Sequence, residues 1–397
     1  MEFNVSFQTA CLFFFFVQGL LFAGLLVVRG REYGHRPSYW LSLFIFLCSC
    51  YIVPFMMGYS GWYGKDGYRE FLFFVPFQQF FLIGPVIYCY TKSLLDADYR
   101  LQGRDWLHFL PGGIYLLYSL LVFVTDVWVL SGDYYFYADG RDKDLAPWYQ
   151  ITGLLAMMVY SGLSLGEYNR YRKRIFEELS YADTVVFSWV KQYLVALLII
   201  MTLRIVFLIL LPNFGSFGKW FWYYIGFAAL YYFIALAGYT NVVKSLAPLH
   251  WRRQQSPVLE AQIIHESEVK EIDDDPAELD SWKPKILDLM EVDRLYENPT
   301  LTLNDVADRL EITSKQVSGL INRGFEQNFN DFVNTYRVEA VKARFEQGDQ
   351  HQFTILSIAL ACGFNSKTTF NRVFKRVTAR TPVQYLAERS KGSSTTS

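Results

Sequence analysis

Residues 11–28 read CLFFFFVQGLLFAGLLVV, eighteen positions without a charged side chain. No other feature constrains the fold more. A helix apolar on every face has no polar side to offer water, and about 20 such residues cross roughly 30 Å of hydrocarbon. Six further stretches share this character, so the pattern predicts seven spans at 7–28, 39–59, 71–91, 106–130, 148–166, 189–211 and 220–243. The expected fold is all-α, with residues 1–243 forming a seven-transmembrane-helix bundle. The first span is too long to be a removable signal peptide, and no basic residue precedes it.

Charge divides the chain at the same place. Residues 1–243 hold 17 Lys/Arg and 16 Asp/Glu, whereas the remaining 154 residues hold 20 and 22, so charge density roughly doubles. The aromatic share is 18% and lies mostly before residue 243, as expected where Trp and Tyr sit at headgroup level. Cys11, Cys48, Cys50, Cys89 and Cys362 lie in apolar stretches without CxxC spacing, and the five histidines form no HExxH set. These patterns point to packing residues, with no metal site and no cofactor expected.

Orientation follows from Lys and Arg in the short loops. One alternating set of segments carries thirteen of them: Arg29, Arg31, Arg36, Lys92, Arg100, Arg104, Arg170, Arg172, Lys173, Arg174, Lys244, Arg252 and Arg253. The opposite set carries five: Lys65, Arg69, Arg141, Lys143 and Lys219. The N-terminus is therefore expected outside and the C-terminus in the cytoplasm, which an odd number of spans permits.

Gln78, Gln79, Asp126 and Arg204 fall within predicted spans, all in the outer half. An ionisable group at membrane depth costs about 2.5–3.5 kcal/mol on insertion scales, so a partner or a wet cavity is expected. Arg204 paired with Asp126, joined by the amides of the PFQQFF stretch, would make a signal-sensing pocket. The alternative has Arg204 snorkelling and Asp126 at the rim. The outer loop SGDYYFYADGRDKDLAPW suits a small polar or sugar-like ligand stacking on Tyr rings, and an aromatic belt explains it equally well.

Residues 244–281 contain nine acidic and four basic groups without apolar period and read as an exposed acidic linker. Residues 282–390 then read as short helices with frequent turn signals, and the Ser/Thr-rich 391–397 as a disordered tail. In LTLNDVADRLEITSKQVSGLIN, Thr302 with Asp305 caps one helix and Thr313 with Gln316 forms a capping box for the next. That is helix-turn-helix spacing. A longer amphipathic helix follows, with Phe332, Val333, Tyr336, Ala340 and Val341 facing inward. The pattern repeats: Ile355, Ile358, Ala359 and Cys362 mark a short helix, Gly363 turns the chain, and Ser366 caps GFNSKTTFNRVFKR. Phe370, Val373, Phe374 and Val377 form its expected core stripe, opposite a basic stripe of Lys367, Asn371 and Lys375 flanked by Thr368, Arg372 and Arg376.

LTLNDVADRLEITSKQVSGLIN, FNDFVNTYRVEAVK and ILSIALACGFNSKTTFNRVFKRVTARTPVQY together resemble the DNA-binding domain of AraC/XylS-family transcription regulators over about 105 residues. The arrangement behind seven spans resembles membrane-anchored regulators of some Bacteroidota. The resemblance implies two helix-turn-helix units joined by a long helix, in a cytoplasmic domain of a bacterial inner-membrane protein. Transferred by position, the DNA-facing residues are Lys315, Ser318, Gly319 and Asn322 in the first unit, and Lys367, Thr368, Asn371, Arg372, Lys375 and Arg376 in the second. Ser357 and Ala379 depart from the family's acidic residue and Gly, and Gly319 stands where relatives often present a long side chain.

Residues 282–350 carry a net charge of -3 and residues 351–397 of +6, so the second unit is expected to anchor the domain on phosphates. The expected function is a one-component, non-enzymatic transcription regulator that senses a signal through its transmembrane part. Promoter DNA, the lipid bilayer, an unidentified small-molecule or envelope signal and RNA polymerase are the expected partners. A homodimer would raise affinity through effective concentration. Three alternatives stay open: proteolytic release of the DNA-binding part, an enzyme or transporter under autogenous control, and a passive anchor.

Overall fold

The structure, a computed structural model, describes residues 5–96, 98–130, 134–210, 220–241 and 276–393. Most of the expected linker, residues 244–275, lies outside the described residues, as do residues 394–397 of the expected tail. The regular structure is helical, and the described residues contain one isolated β-bridge, Leu179 to Thr302, and no strand. The chain forms two units. Among the described residues, the first holds those of 5–169 and 187–241; the second holds 170–186 and 276–393. The boundary expected at 243 therefore misses a short segment, 170–186, whose contacts are with the C-terminal unit.

In the first unit, α1 (Phe7–Tyr33) starts at Ser6, whose side chain accepts from the Thr9 amide at 3.1 Å, and ends at Gly34 with φ 61°. It packs on α2 (Arg36–Tyr59). A Cβ at Gly19 would lie 2.1 Å from Ser49 Oγ, so a hydrogen there is what lets the helices meet this closely. The span expected at 71–91 is broken. Helix α3 (Asp66–Phe74) stops, residues 75–79 are not helical, and α4 (Phe80–Leu95) begins anew. Pro76 supplies no amide proton and disfavours helical geometry at Val75, which has φ -91° and ψ 113°.

Helix α5 (Leu110–Phe123) runs into a wider π turn at Val124–Val129, and α6 (Pro147–Glu178) is 32 residues long. After the short α7 (Ala182–Val185) come α8 (Ser188–Leu210) and α9 (Phe221–Asn241). Among the described residues, five helical segments are long and apolar enough to cross a membrane: 7–33, 36–59, 105–129, 188–206 and 221–241. α4 is apolar but shorter, and α6 mixes Gln150, Ser161, Ser164 and Glu167 into its apolar run. Large apolar side chains face outward, among them Phe13 (53% exposed) and Leu117 (67%). A surface like that favours hydrocarbon over water.

The second unit packs α10 (Pro276–Glu291), α11 (Leu303–Leu310), α12 (Ser314–Phe325), α13 (Phe329–Glu346), α14 (Ile355–Ala361), α15 (Lys367–Thr378) and α16 (Pro382–Ser393). Helix α10 begins inside the expected linker. Two apolar cores lie along α13: Phe329, Phe332 and Val333 join Met290, Val306, Leu320 and Ile321, while Val338, Val341 and Phe345 join Ile358, Phe364, Phe370 and Phe374. One long helix is thus the shared wall of two small cores. Gly363, with φ 90°, lies where a Cβ would be 2.1 Å from the Tyr296 carbonyl oxygen, so a side chain is excluded both by conformation and by space.

Candidate nucleic-acid interface

Both helix pairs of the second unit are positioned by caps that the sequence encodes. Thr302 and Asp305 form a reciprocal capping box at α11, and Thr313 and Gln316 form another at α12. Ser366 accepts from the Thr369 amide at 3.1 Å at the start of α15. The links are short, three residues (311–313) between α11 and α12 and five (362–366) between α14 and α15. Each second helix is thereby held with one face in the core and the other open.

On α15 the split is sharp. Thr369, Phe370, Val373 and Phe374 are buried, while Lys367, Thr368, Asn371, Arg372, Lys375 and Arg376 are exposed. Val377, expected in the core stripe, is instead 38% exposed. It is the last residue but one of α15, beyond the second core. Two of the cations are engaged within the unit: Arg376 contacts Asp331 of α13 at 2.5 Å, and Arg372 contacts Asp183. On α12, Lys315 and Asn322 are exposed, Ser318 and Gly319 half-buried, and Asn322 donates to Ser318 Oγ at 3.3 Å.

Gly319 leaves a gap that Arg323 covers, its Nε donating to the Gly319 carbonyl at 3.2 Å. A Cβ at Gly319 would lie 3.2 Å from Arg323 Nη2. Reading by position missed Arg323; its i+4 relation to Gly319 was the available signal. Also missed was Arg337, 2% exposed, which donates to the carbonyls of Asn298 (2.7 Å), Tyr296 (2.8 Å) and Ser180 (3.1 Å), to Ser180 Oγ (3.0 Å) and to Asn334 Oδ1 (3.3 Å). Burial pushes its guanidinium down to about 9, so it stays cationic at neutral pH.

The four residues expected to sense a signal lie in the first unit, and among the described residues Asp126 and Arg204 have separate partners. Asp126, buried in the π turn, accepts from the backbone amides of Tyr135 (3.1 Å), Phe136 (3.2 Å) and Tyr137 (3.2 Å) and so ties down the outer loop. Arg204 is 4% exposed, sits 3.5 Å from the Trp220 ring and 4.8 Å from that of Tyr223, and its Nε and Nη1 have no hydrogen-bond partner among the described residues. Aromatic faces stabilise the cation in place of a carboxylate. Gln79 bonds locally to the Pro76 carbonyl at 2.7 Å.

Gln78 belongs to a buried network that includes two loop carboxylates the sequence did not single out. Its side chain donates to the Tyr51 carbonyl (3.2 Å) and accepts from Gln150 (2.5 Å), while its amide donates to Asp144 Oδ2 (3.0 Å). Tyr115 donates to Asp144 at 2.5 Å and Tyr63 to Asp142 at 2.8 Å. Beside this network a cleft of about 560 Å³ opens between Arg69, Glu70, Phe73, Phe74, Tyr134 and Tyr135.

Residues 306–388 match the family described as a helix-turn-helix domain. The melibiose operon regulatory protein of Escherichia coli is 29% identical over 85 residues, 21% of this chain and 27% of that protein. An uncharacterized HTH-type transcriptional regulator of Staphylococcus aureus is 32% identical over 95 residues, 24% of this chain and 12% of that one. The chain therefore spans about a quarter or less of the length of these relatives. No solved structure matches. The family is one of DNA-binding regulators and not of enzymes. Residues 306–388 are a helix-turn-helix domain of the AraC type.

Proposed function

We propose that the chain is a membrane-embedded, one-component transcription regulator whose α11–α12 and α14–α15 pairs are two helix-turn-helix units on promoter DNA. The observation that carries this reading is the face of α15. Six polar or basic side chains, Lys367, Thr368, Asn371, Arg372, Lys375 and Arg376, stand exposed on a helix fixed to a core on its other side. Such a helix fits the major groove, with cations reaching phosphates and guanine edges and Asn371 able to pair with adenine. Lys315, Ser318, Asn322 and, in addition, Arg323 are the corresponding groups on α12.

The first unit is read as seven spans, α3–α4 being one broken span and α6 another, with the C-terminal domain in the cytoplasm. Support comes from the five apolar helices, the outward apolar side chains and the thirteen-to-five loop bias. The cleft at Tyr134 and Tyr135 is the best candidate for a signal site, since aromatic faces next to Arg69 and Glu70 suit a small polar ligand. Gel-shift titration at fixed salt tests the DNA-binding part. Arg372→Ala should weaken binding about tenfold or more and Lys315→Ala only a few-fold, given about 1–3 kcal/mol for a good base contact. Equal losses would overturn the unequal division between the units.

A further inference from the structure

The segment between α6 and α8 is built into the C-terminal unit as if it were one of its own loops. The Ser180 amide donates to the Leu301 carbonyl at 3.1 Å, Leu179 bridges Thr302, and Asn330 Nδ2 donates to the carbonyls of Leu179 (3.1 Å) and Ser180 (2.9 Å). Arg337 adds two bonds to Ser180. Leu179, Ser180 and Ala182 are 1% exposed or less. These contacts join positions some 150 residues apart, and they leave Asp183 beside α15. There its carboxylate meets the guanidinium of Arg372.

The two ends of that pair differ. The Asp183 side chain is 3% exposed and the Arg372 side chain 58%. A carboxylate so far withdrawn from water needs a cation, so Arg372, itself open to solvent, is freed only at the cost of leaving Asp183 unpaired or when the loop carries Asp183 into water. Asp183 thus presents to Arg372 a negative charge of the kind a DNA phosphate carries.

We propose that the 179–183 loop is an autoinhibitory latch: Asp183 neutralises Arg372, and DNA engagement requires this loop to give the cation up. The proposal rests on the DNA-binding reading above. Because α6 is one unbroken helix from Pro147 to Glu178, a signal that shifts α6 moves the latch directly. A two-state element of this kind biases DNA affinity without any change in the residues that touch DNA.

The test uses full-length protein in lipid nanodiscs and a mixed-sequence 30-base-pair duplex, titrated across a range of salt. Asp183→Asn keeps the shape of the side chain and removes its charge. It should tighten binding about threefold or more and steepen the salt dependence by about one phosphate contact, a slope change of roughly 0.9. Asp183→Glu, which keeps the charge, should bind as wild type does. Asp183→Asn combined with Arg372→Ala should show no gain over Arg372→Ala alone. An unchanged affinity and slope for Asp183→Asn, or a gain that survives loss of Arg372, overturns the latch. If no variant binds duplex DNA, the DNA-binding reading falls and the latch with it.

Discussion

Among the described residues Arg337 is the largest fully buried side chain, and it is satisfied entirely by neutral oxygens. Its planar fork spans three backbone carbonyls and two side-chain oxygens, a geometry that three ammonium protons on a flexible stem do not reproduce. Arg337→Lys should therefore cost about 2 kcal/mol through unsatisfied buried acceptors. The check is hydrogen exchange in the intact chain, which should quicken at residues 179–183 and 296–302. Ala379 closes α15 with φ 59°, where any Cβ is strained and where the family's usual Gly is not. Ala379→Gly should slow exchange across α15 and α16 by an amount worth about 1 kcal/mol. Of these two residues only Ala379 was flagged by the sequence. Arg337 sits in an ordinary amphipathic pattern, and its five acceptors come from three separate segments that no local pattern connects.

The elements of the C-terminal unit were legible because their signals are local. Capping boxes at Thr302 and Thr313, the turn at Gly363 and the apolar stripe of α15 each act within four residues of where they are written. The break before α4 was also written, in Pro76, but an apolar count runs straight through it. The outer loop was not legible. Asp126 serves amides that lie nine to eleven residues further on, and Asp142 and Asp144 look like solvated loop charges although both are about 5% exposed. Burial, reinforced in Asp142 by the neighbouring charge, raises both carboxyls above the ordinary range. A raised carboxyl favours the folded loop when protonated, so that stability is fully present below about pH 4 and is lost as pH climbs through the elevated values. Exchange at residues 134–146, corrected for its intrinsic pH dependence, should accordingly be slowest in acid. It should rise toward alkaline pH, and the rise should shrink in Asp144→Asn.

At the scale of the whole molecule, two chemistries share one chain. Apolar helices with outward Phe and Leu carry the first 241 residues, and a charged helical unit with a basic face closes the last hundred. The sequence separated them near residue 243, where the apolar runs end and charge density roughly doubles. What it did not reveal is that residues 170–186 fold with the second unit, because such a contact is a matter of tertiary pairing and leaves no periodic trace. On the latch proposal, that segment between two apolar helices controls DNA binding.

The most direct measurement is to cross-link cells, isolate their membranes and sequence the DNA held by the full-length chain. The account predicts discrete sites near promoters, recovered with the membrane fraction and lost in Arg372→Ala. Recovery no greater than from cells lacking the chain, or equal recovery with Arg372→Ala, would contradict it.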